Sequence, residues 1–513
     1  MSPQTAPVPA HPESEGANEI QGIVREVMIP GLAVDTVGRR FQVEWDPLAP
    51  VPPLGQLVFF FQFLAASGLY SKWIASCPLR YASPNAPAVG DVLGTSVLAI
   101  LSGACRYAHV SALRGDRVNP QGLGMEKVVS EDSLRRAFQD EDAAALAQWQ
   151  TEGLLATYAP ALERPWIADL DVTIKPIYGR QEGAETGYNP HKPGRPSHAY
   201  HTVFLRTLRV ALDVEVRSGK EHAAVHGLDN LWRLWHRLAP SQRPWLVCGD
   251  AGFGSERIMS ECEARQQKYL FRQRSTQGVK QLVSMLERQG GWHAIRAGWE
   301  GCEGELQLSG WTRRRRAAVF RRLRARPAPA GDIPLLEEGG VQVKAGPLYE
   351  YIVLVTSLKE NLPTLLHLYR QRADVENAYD ELKHQWGWGG FTTRDLLRCQ
   401  IAARMVAQVY NWWNLFVRCA DPERAREAIT SRPLLLFSVG RIIKSGGQTR
   451  LRITSHHAEA AQAQDLLTKL SLFLSGLNNA AEQLESVERW RRIWRRILEP
   501  FLCPATALLG ASG

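Results

Sequence analysis

The chain has 513 residues, enough for several domains and a large core. Lys and Arg number 61 against 52 Asp and Glu, and the formal charge of +9 favours a polyanionic partner without demanding one. The eight cysteines contain no C-x2-C pair, which argues against a zinc ribbon or disulfide framework, and the longest apolar run, 57–66, is broken by Gln62 and too short to span a bilayer.

Residues 1–18 are polar and Pro-rich, show no signal peptide, and read as a disordered tail. The N-terminal region, 19–160, opens with alternation over 20–46 and turn signals at Pro30-Gly31 and Gly38, which predicts a small β element. From about 70 to 150 the pattern is helical. Ser130 is placed to cap a helix over 131–136 that carries Arg135 and Arg136. A helix-turn-helix reader of DNA ends and an ordinary amphipathic helix both fit.

Over 161–274 the pattern changes. Strands are predicted at 166–173, 201–208, 209–217, 244–250 and 268–272, with helices at 228–238 and 255–265. The order β-β-β-α-β-α-β is that of an RNase H-like core, an α/β fold with a mixed sheet flanked by helices. Residues 275–348, rich in Gly, Trp and Arg, read as a mostly β insertion subdomain. The core resumes over 349–415 with a strand near 349–355. The remainder, 416–513, reads as a helical C-terminal region and a candidate dimerisation element, whose apolar stripe of Trp490, Ile493, Trp494 and Ile497 fits packing on the core or on a second protomer.

The stretch LYRQRADVENAYDELKHQWGWGG carries the most chemistry. Relative to Glu376, Tyr369 lies at −7, Arg372 at −4, Asp380 at +4 and Lys383 at +7. On one continuous helix these offsets share a face, beside an apolar stripe of Val375, Tyr379, Leu382 and Trp386. A solvated face of i,i+4 ion pairs is the plain reading. A carboxylate among cations also suits a metal ion and a phosphate together.

Two more acids belong with it. Asp171 sits on the first predicted core strand and Asp250 ends the fourth, before a Gly-rich turn. Asp169, on the same strand face as Asp171, is a rival ligand, and Asp380 rivals Glu376. Seventy-nine positions separate Asp171 from Asp250 and 126 separate Asp250 from Glu376, so only the fold can bring them together. Unpaired carboxylates that converge repel one another and need divalent cations.

Tyr-x2-Arg-x3-Glu-x6-Lys, with Asp171 and Asp250 upstream, resembles the YREK signature of bacterial insertion-sequence DDE transposases. The segment 181–196 is also similar to one branch of that group. The resemblance covers about 165–415. It implies Asp171, Asp250 and Glu376 as catalytic metal ligands for two Mg2+ ions, with Mn2+ as a substitute. It implies Tyr369, Arg372 and Lys383 as contacts to transposon-end phosphates. It further implies cleavage at terminal inverted repeats, 3′-OH joining to target DNA, a homodimer on DNA, no membrane partner, and a bacterial cytoplasmic location at the nucleoid. A catalytically inactive DNA-binding descendant and an RNase H-like nuclease without end specificity are the alternatives.

Further DNA contacts are expected in two places. Arginines 313–316, 321, 322, 324 and 326 cluster near Trp311, and phosphate neutralisation beside a stacking ring suits DNA. Trp311, Arg313 and Arg315 are the candidates there, with Trp292 and Trp299 as other rings for a flipped base; a tryptophan in a small β domain is otherwise core. Lys192 and Arg195, in the basic Gly/Pro-rich loop 187–196, are candidates to lie over the active site.

Overall fold

The computed structural model describes residues 31–46, 54–114, 116, 118–139, 141–189, 192–323, 349–455, 458–480 and 484–501. The expected tail at 1–18 and Arg324 and Arg326 lie outside them.

In chain order, a hairpin of β1 (Leu32–Asp35) and β2 (Arg40–Asp46) precedes six helices: α1 (Leu57–Ser67), α2 (Leu69–Ala75), α3 (Val89–Leu101), α4 (Asn119–Gly122), α5 (Glu131–Arg136) and α6 (Ala143–Tyr158). The Ser130 side chain accepts from the Ser133 N–H and caps α5, as the sequence predicts. No single described helix is long and apolar enough to cross a membrane.

The core follows: β3 (Ile167–Pro176), β4 (Glu185–Thr186), β5 (Pro196–Leu205), β6 (Val210–Ser218), α7 (Ala223–His226), α8 (Asp229–Arg237), β7 (Leu246–Gly249), α9 (Glu256–Ala264) and β8 (Tyr269–Arg272). Next come α10 (Gln277–Gln289), β9 (His293–Ala294), β10 (Trp299–Leu306), β11 (Arg315–Leu323) and β12 (Tyr349–Thr356). The chain continues as α11 (Leu362–Arg370), α12 (Ala373–His384), α13 (Leu396–Ala420), α14 (Ala428–Leu435), β13 (Gly440–Ser445), β14 (Gln448–Thr454), α15 (Ala460–Asn479) and α16 (Ser486–Leu498).

The architecture is mixed α/β with two mixed sheets. Among the described residues the larger sheet has ten strands in the order β4-β5-β3-β7-β8-β12-β11-β10-β9, with β6 on the far side of β5. Strand β3 sits centrally, antiparallel to β5 and parallel to β7. Among the described residues strand β6 pairs only with β5, and its other edge is covered by polar side chains of α13. Asn411 bonds both the N–H and C=O of Ala211 at 2.9 and 2.7 Å, and Gln400 does the same for Val216 N–H and Val214 C=O. An edge that would template another strand is thereby closed.

Two expectations are corrected. The 275–348 block is not a separate β subdomain in its described part: β10 and β11 continue the central sheet through β12, and α10 precedes them. The helix has a readable cause, since Val279, Leu282, Val283 and Leu286 follow helical spacing and are all buried. The C-terminal region is not wholly helical. The Gly446-Gly447 turn, with φ of +55° and +75°, joins β13 to β14, and a two-residue hairpin of this kind selects glycine at both positions. Strand β14 then pairs in parallel with β2, so both ends of the chain build one four-stranded sheet. The α16 stripe, for which packing on the core and on a second protomer both fit, packs on the core. Trp490 and Trp494 are buried and donate to the Ala156 and Thr157 carbonyls of the α6 C-terminus, each at 3.1 Å.

Candidate active site

The register of the two central parallel strands places the first two acids. Leu170 pairs with Gly249, the last residue of β7, so the next position on each strand is an aspartate. Asp171, midway along β3, and Asp250, just past the end of β7, therefore stand at the same level of the sheet, where β7 ends and α/β sheets open into clefts. Both line a cleft of about 540 Å³ with Thr173, Tyr188, His222, Arg274 and Lys383. The Gly252 N–H donates to Asp250 Oδ1 at 2.8 Å and fixes its carboxylate at the turn. Burial pushes the Asp171 carboxyl up to about 7; the Arg372 guanidinium opposes the rise and the Asp250 charge adds to it.

Asp169 has a different job. It is fully buried and accepts from Arg206 Nε and Arg372 Nε, both at 2.7 Å. Arg206 also donates to the Leu368 carbonyl near the end of α11. Arg372 Nη2 reaches to 3.6 Å from Asp171 Oδ2. Asp169 and two guanidinium groups thus form a buried cluster beneath the cleft, with Asp171 at its edge. Between the rivals on β3, Asp171 faces the cleft and Asp169 faces inward.

The same cluster corrects the expectation of one continuous helix. The segment breaks at Gln371 and Arg372, where the Arg372 N–H bonds the Tyr369 carbonyl and the Val375 N–H bonds the Arg372 carbonyl, both spanning three residues. Arg372 turns into the protein and is buried, so in this structure it is not a phosphate contact. Tyr369, on the preceding helix, is half-buried in apolar packing with the Arg372 guanidinium 6.0 Å from its ring centre.

Helix α12 lies over the site on its apolar stripe. Tyr379 packs on Phe204 with ring centres 4.9 Å apart and hydrogen-bonds Thr202, whose hydroxyl donates to the Asp171 carbonyl at 3.0 Å. Lys383 reaches the cleft. Glu376 does not line it; the residue is exposed and has no ion-pair partner among the described residues. Among those residues no group of three His, Cys, Asp or Glu side chains is placed to hold a metal ion. The expected convergence of three acids is therefore realised only for Asp171 and Asp250. The cause is the stripe of Val375, Tyr379 and Leu382, which seats α12 with Glu376 turned to solvent.

The family described as Transposase DDE domain group 1 matches residues 85–474. The chain belongs to this family. Its members are phosphoryl-transfer enzymes of DNA transposition, and DDE transposases generally use a divalent metal. No curated protein matches the chain. A solved structure similar to it is the cryo-EM structure of the piggyBac transposase synaptic complex with hairpin DNA, at 12% identity over 88% of each chain and a TM-score of 0.39.

For a DDE family member the chemistry of the donors is the test of a metal site. Two carboxylates facing one cleft, with hard oxygen donors and mutual repulsion, suit a divalent cation, and they would supply two of its ligands.

The insertion arginines of this transposase family member are engaged elsewhere. Arg315 is buried between Glu256 and Glu263 of α9, and Arg313 also bonds Glu263. Arg314, Arg316, Arg321 and Arg322 each pair with a glutamate, and across the β10–β11 ladder Arg321 meets the facing Glu300 while Arg316 reaches diagonally to Glu303. Trp311 and Trp299 are buried, and Trp292 is half-buried with Arg321 stacked at 4.2 Å. Trp311 and Arg315 are thus parts of the scaffold, whereas Arg313 is exposed and paired with Glu263 at the surface. Alternation in two facing strands put acids opposite bases, which a count of arginines alone does not reveal. Lys192 and Arg195, by contrast, are exposed. Sequence reasoning missed Tyr188, His222, Arg274 and Arg206. Tyr188 lay within the segment singled out at 181–196; the other three carry no local signal.

Proposed function

We propose that the chain is a bacterial insertion-sequence DDE transposase of the YREK type. Its substrates are the terminal inverted repeats of its own element and a target DNA, held by a homodimer in the cytoplasm at the nucleoid. The reaction is hydrolytic nicking at the transposon end, followed by attack of the freed 3′-OH on a target phosphodiester. Asp171 and Asp250, joined by Glu376, would hold the Mg2+ that stabilises the attacking and leaving oxygens. Lys383 neutralises phosphate at the cleft. Arg372 acts one layer below, orienting Asp171 and the start of α12. The RNase H-like assignment rests on the strand sequence β6-β5-β3-β7-β8, antiparallel then parallel.

The observation that carries the proposal is the register that seats Asp171 beside Asp250 at a cleft containing Lys383, within a chain of the DDE family. Glu376→Gln is expected to abolish Mg2+-dependent cleavage of end DNA while changing DNA affinity less than about threefold, because one neutralised ligand is lost without a phosphate contact. Unchanged cleavage refutes the assignment of Glu376.

A second reading, a DNA-binding protein without catalysis, draws on the outward position of Glu376. A nicking assay on supercoiled DNA carrying the cognate ends separates the two. End-specific nicks require the first reading, and binding without nicks requires the second.

A further inference from the structure

Tyr178 and Tyr188 are 66% and 65% exposed, the two most exposed aromatic side chains among the described residues. Both belong to the arm that connects β3 to β5. Tyr188 lines the cleft that holds Asp171 and Asp250, and its ring centre lies 6.1 Å from that of His222. Lys192 Nζ donates to the Tyr178 hydroxyl, and Arg195 Cζ lies 4.7 Å from the ring centre of this still largely exposed residue. Neither cation has a carboxylate partner among the described residues. This contrasts with the insertion, where each described arginine of the cluster pairs with a glutamate and the tryptophans are covered.

Exposed π faces and unneutralised positive charge on one arm at a cleft mouth suit a particular ligand. The bases of duplex DNA are stacked on one another and offer no face to a side chain. An unpaired strand offers both a face and a phosphate, and aromatic stacking tolerates any base.

We propose that this arm is a stacking platform for unpaired DNA at the mouth of the cleft. Tyr188 receives the base nearest Asp171 and Asp250, Tyr178 receives one farther out, and Lys192 and Arg195 neutralise the backbone between. The inference rests on the transposase reading above, in which cleaved ends pass through this cleft.

Fluorescence anisotropy on the full chain, without divalent metal, tests it with two probes. One is a labelled oligo(dT) of about 20 nucleotides; the other is a duplex of the same length. The double variant Tyr178→Ala/Tyr188→Ala is expected to lose about tenfold or more in affinity for the single strand and less than twofold for the duplex. Tyr178→Phe/Tyr188→Phe should bind like wild type, because the rings remain. A 2-aminopurine base in the oligonucleotide should be quenched by wild type and by the Phe variant, and not by the Ala variant. Equal losses on both probes, no loss on the single strand, or a wild type that binds only duplex would overturn the platform alone. A wild type that binds neither probe would overturn the transposase reading as well.

Discussion

Asp169 is shared by two guanidinium groups, all three side chains closed to water, and Asp171 Oδ2 lies 3.6 Å from Arg372 Nη2 at the edge of the cluster. Removing one partner from such a buried set leaves an uncompensated charge and costs about 3–5 kcal/mol. Asp169→Ala is therefore expected to lower the unfolding free energy by that amount, read from urea denaturation. Asp171 behaves differently. Its carboxyl titrates near 7 in the folded chain against about 3.9 when unfolded, so folding favours the protonated form. That contribution is fully present below the unfolded value and is lost as pH rises through 7. Asp171→Asn escapes the loss. In metal-free protein its stability relative to wild type should increase by about 1–2 kcal/mol between pH 5.5 and pH 8, measured by denaturation at the two values. Asp171 was legible as an acid on a strand. Its elevated carboxyl was not, because desolvation depends on what the fold packs around it.

At the scale of elements, two pieces of secondary structure decide which cations face outward. The β10–β11 ladder sets arginines against glutamates, so these side chains stabilise the sheet and leave little net field. The arm between β3 and β5 carries Lys192 and Arg195 with no acid opposite. Arg314→Ala/Arg316→Ala should change duplex affinity less than about twofold. Lys192→Ala/Arg195→Ala should weaken binding and reduce the slope of log affinity against log salt by about two, since each phosphate contact contributes roughly one unit. A salt titration of all three proteins checks both statements. The break between α11 and α12 belongs here too. The YREK spacing is compatible with one helix, and nothing in it signals that Arg372 will be drawn inward by a carboxylate 203 residues earlier.

Across the whole molecule, the two ends of the chain depend on each other. Strand β2 pairs with β14, and the buried Gln56 side chain donates to the Leu434 carbonyl at 3.1 Å. A chain lacking residues 1–46 leaves β14 with one bare edge. Hydrogen exchange over 440–454 is then expected to accelerate strongly while exchange in β3 and β7 is unchanged, and equal protection in both proteins would show the sheet to be dispensable. The long buried helix α13 ties α6 to the larger sheet, through Asn411 and Gln400 on β6 on one side and the Gln408 bond to Thr157 on the other.

Local signals were sufficient for what is local. The strands and helices of 166–272, the cap at Ser130, and the acids at 171 and 250 follow from periodicity, turn chemistry and composition, because each is set by neighbours a few residues away. The Gly-Gly hairpin and α10 had readable signals of the same kind. Pairings across long separations were decided by packing alone: Asp171 beside Asp250, Asp169 between two arginines, Glu376 facing solvent, and the arginines of β11 facing acids. Each depends on strand register or on which helix face is buried, and those are properties of the assembled sheet rather than of any segment.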